Sequence, residues 1–215
     1  MNTAPAPDFD DGFRRHLAEL LAWRRDVRRF RPDPRAPGQL DRLLDLACLA
    51  PSVGLSQPWR FVLVESEAAR AGVIAEFEAA NAEALGDYRG ERAALYARLK
   101  LAGLREAPVH LAVFCDEATG QGHGLGRRTM PEMLAYSVVT AVHTLWLVAR
   151  AEGIGVGWVS ILDPQAVASL LAVPPEWRLV AYLCIGHPQE DQAEPELARA
   201  GWQNREAGSR TLLIR

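Results

Sequence analysis

Apolar residues recur along the chain with two periods, and each change of period marks an element. Phe13, Leu17, Leu20, Leu21 and Ala22 have helical spacing up to Trp23. RPDPRAPGQ, residues 31–39, carries three prolines and a glycine and reads as a connection. Leu40, Leu43, Leu44, Ala47 and Cys48 share one face of the next helix, which Pro51 stops. RFVLV (60–64) reads as a strand. Residues 67–85 and 91–104 read as surface helices joined by an exposed GDYRG. Pro108 introduces the apolar strand VHLAVFCD, and TGQGHGLGRR (119–128) reads as a mobile loop or lid.

The longest pattern is PEMLAYSVVTAVHTLWLVARAEG, with Pro131 at the expected first helical position and Gly153 past the end. Its apolar residues lie all round, which predicts a buried helix that also meets a partner subunit. Polar residues interrupt it, so a membrane span is not expected. His143 is expected as a core histidine without a metal, because no ligand type follows at i+3 or i+4. GVGWVSI (155–161) and LVAYLCIG (179–186) read as strands, with a short helix after Asp163-Pro164, and the terminal TLLIR offers a possible extra strand. Too few strands alternate with helices for a doubly wound sheet. The expected class is α+β, with helices on the faces of a sheet.

The chain has 215 residues, which predicts a flexible leader over 1–10 and one domain over 11–215. The charge of −3 gives no general attraction to nucleic acid or to an anionic membrane. The leader lacks a basic region followed by an apolar stretch, so a cytoplasmic location is expected. Cys48, Cys115 and Cys184 each sit in an apolar run and are expected as free thiols, without a metal site. Composition has one oddity. Of 24 basic residues only Lys100 is lysine, and five arginines fall within residues 24–31.

Three constellations could carry chemistry. Arg24-Arg25-Asp26-Val27-Arg28 follows a helix, and its guanidinium forks suit a phosphate. A solvated helix end would look the same. Asp26 is either a charge partner or a base held over a ligand. PSVGLSQPW (51–59) is a fixed loop whose backbone and hydroxyls could hydrogen-bond a heterocycle. GIGVGWVS (153–160) has alternate glycines, which permit either a flat ligand or close packing on the long helix.

Together, R-R-x-x-R, P-S-x-x-x-S-Q-P-W and a long helix leading to G-I-G resemble the FMN-binding nitroreductase superfamily, from about Arg24 to Arg205. Ordinary members usually have Ser where Asp26 stands and Asn where Leu55 stands. RRDVRRF, APSVGLSQPWRFV, LKLAGLREAPVHLAVF and the late AGWQ instead resemble one branch, which consumes reduced FMN and O2 to make the lower ligand of cobalamin.

The resemblance implies a mixed, mainly antiparallel sheet flanked by helices, in a homodimer with exchanged tails. It implies reduced FMN as substrate, supplied by a separate flavin reductase. It implies Asp26 and Ser160 as catalytic residues. FMN contacts are implied for Arg24, Arg25, Asp26, Val27, Arg28, Ser52, Gln57, Pro58, Ser160 and Arg205. The helices between Glu67 and Leu104 would form a lid over the flavin. The alternative is an NAD(P)H-dependent flavin or nitro reductase of the same fold.

Overall fold

A computed structural model describes residues 5–97, 99, 103–206 and 208–215. Its centre is a four-stranded sheet, β1 (Trp59–Leu63), β2 (Val109–Asp116), β3 (Gly155–Val159) and β4 (Trp177–Gly186). Spatial order is β1-β2-β4-β3, and every neighbouring pair is antiparallel. The two central strands are covered on both faces, which is why VHLAVFC and AYLCIG are continuously apolar. Successive residues of β2 enter opposite layers: Leu111 and Val113 one, Ala112 and Phe114 the other.

Three helices follow in order before β2, α1 (Asp11–Trp23), α2 (Gln39–Ala47) and α3 (Glu67–Leu85), then two shorter ones, α4 (Gly90–Tyr96) and α5 (Gly103–Glu106). The long α6 spans Met133–Ala151, α7 spans Pro164–Leu170 and α8 spans Glu196–Arg199. Side chains cap three of them. Asp10 accepts from Phe13 N–H at 2.7 Å, Ser66 from Ala69 N–H at 3.2 Å, and Asp163 from Gln165 N–H at 2.7 Å. The α6 helix joins α2 on one sheet face through Val138, Ala141 and Leu145 against Leu40 and Leu43. Val73 of α3 and Val167 of α7 pack with Phe30 on the other face.

Several sequence expectations change. The predicted helix over 91–104 is two helices, α4 and α5. Gly103 N–H donates to Arg28 C=O at 2.8 Å, a bond across the chain in place of a helical one. TLLIR forms no strand: Leu212, Leu213 and Ile214 are exposed. The long helix starts two residues beyond Pro131, and it is buried on one side only. Tyr136, Val139 and His143 lie on its exposed side, so His143 is not a core histidine.

The buried histidine is His110, with Nδ1 2.9 Å from the Tyr182 hydroxyl. Burial pulls its pKa down to about 4. Among the described residues, α6 alone is long and apolar enough to cross a membrane, yet its inner side is part of the sheet's core. The glycine-rich loop is not a lid over Asp26. Gln121 Nε2 donates to Leu55 C=O at 3.0 Å and to Gln57 Oε1 at 2.8 Å, which docks the loop on the turn before β1. Cys115 and Cys184 are buried free thiols, and Cys48 is half-buried.

Candidate active site

The RRDVR segment leaves α1 in extended backbone and runs parallel beside the edge strand β3. Val27 N–H donates to Val156 C=O at 3.0 Å, and Trp158 N–H donates to Asp26 Oδ1 at 2.9 Å. The glycines of GVG make this approach possible. A Cβ on Gly157 would lie 2.1 Å from the Val27 carbonyl oxygen, and one on Gly155 would lie 2.8 Å from a Val27 methyl. These glycines therefore admit the Val27 segment, a use that the sequence did not show. Val27 itself is a packing residue of this edge, with its backbone bonded into β3.

Asp26 sits half-buried on this edge, its second oxygen 3.3 Å from Arg28 Nε. Burial pushes its carboxyl above the usual range, opposed by the Trp158 N–H and by Arg28 and Arg24. A carboxyl so held keeps its proton more tightly than a free one, as suits a group that moves protons. Arg24 lies over the Trp146 ring at 4.8 Å, and Trp146 Nε1 donates to Arg25 C=O at 2.9 Å. Arg25 hydrogen-bonds the Arg24 and Ala193 carbonyls, and its buried Nε has no partner among the described residues. Burial lowers the Arg25 pKa, and repulsion from Arg205, Arg24 and Arg150 lowers it further. That mutual repulsion is relieved by an anion. Arg31 stands apart, paired with Asp33 at 2.5 Å.

Two clefts flank the segment. One is lined by Asp26, Arg25, Arg28 and Arg150. The other, of about 580 Å³ and open to solvent, is lined by Arg28, Trp158, Ser160, Asn81, Tyr96 and Trp202. Ser160 directly follows β3 and is exposed. The structure thus brings together Arg24, Arg25, Asp26, Val27, Arg28, Ser160 and, through the charge it exerts on Arg25, Arg205. Asn81, Tyr96 and Trp202 were missed, although Trp202 lies in the AGWQ that carried the resemblance. Asn81 and Tyr96 stand in otherwise unremarkable helical text, and Trp202 follows α8. Lys100, a residue that could approach the site, lies outside the described residues.

Ser52, Gln57 and Pro58 are elsewhere. Ser52 Oγ accepts from Gln57 N–H at 3.1 Å, Gln57 has φ 41°, and Pro58 is buried at the start of β1. β1 and β3 are opposite edges of the sheet, about 14 Å apart at ordinary strand spacing. One chain does not place this turn against Asp26. Among the described residues no group of three or more His, Cys, Asp or Glu could hold a metal.

The chain belongs to the nitroreductase family, which it matches over residues 21–187. Within that family it is 60% identical over 205 residues to the 5,6-dimethylbenzimidazole synthase of Rhodospirillum rubrum, covering 95% of this chain and 96% of that protein. It is 53% identical over 196 residues to the enzyme of that name from Rhodobacter capsulatus, covering 91% and 95%. Among solved structures, oxidized iodotyrosine deiodinase bound to FMN and 3-iodo-L-tyrosine superimposes with a TM-score of 0.70 at 25% identity, covering 93% of this chain and 97% of that one. The antiparallel sheet with flanking helices is the fold that the sequence resemblance implied.

Proposed function

We propose that this chain is a 5,6-dimethylbenzimidazole synthase that cleaves reduced FMN with O2, releasing erythrose 4-phosphate. The observation that carries the reading is Asp26: a carboxyl in the midst of arginines, tied to β3 by the Trp158 N–H, with its pKa raised by burial. The extent of identity to the two synthases supports it.

The residues present fit FMN. Arg24 and Arg205 repel Arg25, and with Arg28 they suit its phosphate; the Arg25 Nε, without a partner among the described residues, offers a further donor. Reduced FMN, when bound, supplies both the electrons for O2 and the carbon skeleton that is cut. Asp26 takes and returns a proton beside the ribityl chain, its orientation fixed by Trp158 N–H and Arg28. Ser160, which lines the adjoining cleft, would hydrogen-bond the ring.

The reading includes a homodimer with exchanged tails, in which Ser52, Gln57 and Pro58 reach the flavin from the second copy. The apolar residues Phe13, Leu17 and Leu21 of α1, Val139 of α6 and Leu212–Ile214 of the tail are exposed in one chain, as such an assembly needs. Residues 11–215 act as one FMN-binding unit behind a leader, in the cytoplasm, with a separate flavin reductase supplying FMNH2.

The test is to mix the protein with chemically reduced FMN and oxygen and to look for dimethylbenzimidazole by mass spectrometry. Recovery of intact FMN alone refutes the proposal. Rapid NADPH oxidation with FMN and no benzimidazole would establish a reductase instead.

A further inference from the structure

Tyr96, the last residue of α4, is 9% exposed, and its hydroxyl has no hydrogen-bond partner among the described residues. Its ring is held firmly. It stacks on Tyr88 with centroids 4.7 Å apart, and Trp202 lies 6.1 Å away, itself edge-on to Tyr88 at 5.5 Å. The three rings come from the connection before α4, the end of α4 and the segment after α8, so distant parts of the chain converge to fix one phenol.

Packing alone would be served equally by phenylalanine. A buried hydroxyl without a partner lowers the stability of the free protein, so its use must lie in something bound. Tyr96 lines the cleft that also holds Arg28, Trp158 and Ser160. Apolar and aromatic walls with a few convergent polar groups are the usual build of a small-molecule site. Burial, then the neighbouring Tyr88, pushes the phenol's pKa up, which keeps it a donor at neutral pH.

We propose that Tyr96 is a ligand-binding residue whose phenolic O–H donates to an acceptor atom of the flat heteroaromatic ring bound in this cleft. This rests on the flavin reading above and adds a residue that the family motifs do not contain. Trp202 and Tyr88 are positioning residues, which act by holding the phenol.

The test uses the full-length chain, Tyr96→Phe and, as a control at an exposed tyrosine of α6 outside the cleft, Tyr136→Phe. Thermal unfolding is followed with and without FMN, and FMN binding is titrated by flavin fluorescence, oxidised in air and reduced under anaerobic conditions. Without FMN, Tyr96→Phe should melt at or above the parent temperature, by up to about 2–4 °C, because an unpartnered hydroxyl has been removed. With FMN the order should reverse, and FMN should bind about tenfold more weakly than to the parent. Tyr136→Phe should bind FMN as the parent does. Equal FMN affinity and equal FMN-induced shift in Tyr96→Phe and the parent overturn the assignment, as does an equal loss in Tyr136→Phe. Failure of FMN to bind or stabilise the parent overturns the flavin reading, and the Tyr96 assignment with it.

Discussion

The two outer edges of the sheet carry the two strongest motifs, and the chain treats them differently. At the β3 edge, RRDVR is bonded into the sheet through Val27 N–H and Asp26 Oδ1, and it borders two clefts. At the β1 edge, PSVGLSQP closes on itself through Ser52 and on the 119–128 loop through Gln121. The first edge is a site with charge and open space. The second is a rigid shape with no such cleft described beside it. A motif thus marks a surface made for a ligand without saying whether the rest of the site comes from the same copy.

The largest expected effect tests the first edge. Asp26→Asn keeps an oxygen for the Trp158 N–H but removes the titrating group. Benzimidazole formation from reduced FMN should fall by about 10²–10⁴-fold while FMN still binds. Product at the parent rate would remove Asp26 from proton transfer.

Next comes the contact that builds this edge. Gly157→Ala sets a methyl against the Val27 carbonyl oxygen and should destabilise the protein by about 1–3 kcal/mol, with weaker FMN binding. Gly120→Ala, where a Cβ meets nothing within 4 Å, is the control for a glycine change alone. Equal melting temperatures for the two variants would contradict the packing role of Gly157.

The second edge is tested by mixing. Gln57→Ala should depress activity, and so should Asp26→Asn. Unfolding and refolding the two together should restore about one quarter of parent activity, because random reassortment gives dimers with one intact site. No recovery would show that both residues serve one chain's own site.

The smallest effect is electrostatic. Asp26 has a raised carboxyl pKa in the fold, so the folded protein holds its proton more tightly than the unfolded chain does. Its contribution to stability is present below the usual carboxylate range and is lost as pH rises through the raised value. Asp26→Asn should lack that decline. Its melting temperature relative to the parent should rise as the pH climbs above the usual carboxylate value of about 4, and a constant difference would contradict the raised pKa.

Much of the fold was legible in residue order. The strands at 109–116 and 177–186 show as continuous apolar runs because both of their faces are covered. The helix at 164–170 follows an Asp-Pro cap that local chemistry enforces. The break between α4 and α5 was not legible, because it depends on Arg28 C=O, some 75 residues away in the chain. Tyr96 was not legible either: a tyrosine in ERAALYAR shows nothing of the rings that will surround it.

By itself the sequence determined most of the elements, the arginine-rich segment with its one acid, and membership of a flavin-binding family. Those are local or compositional, and residue order carries them directly. Only the tertiary structure decided that the glycines near Trp158 admit Val27, that the PSVGLSQP turn lies at the opposite sheet edge from Asp26, and that Tyr96 ends in a cleft with no partner for its hydroxyl among the described residues. Each depends on which distant segments touch, and that is fixed by the packing of the whole sheet and its helices.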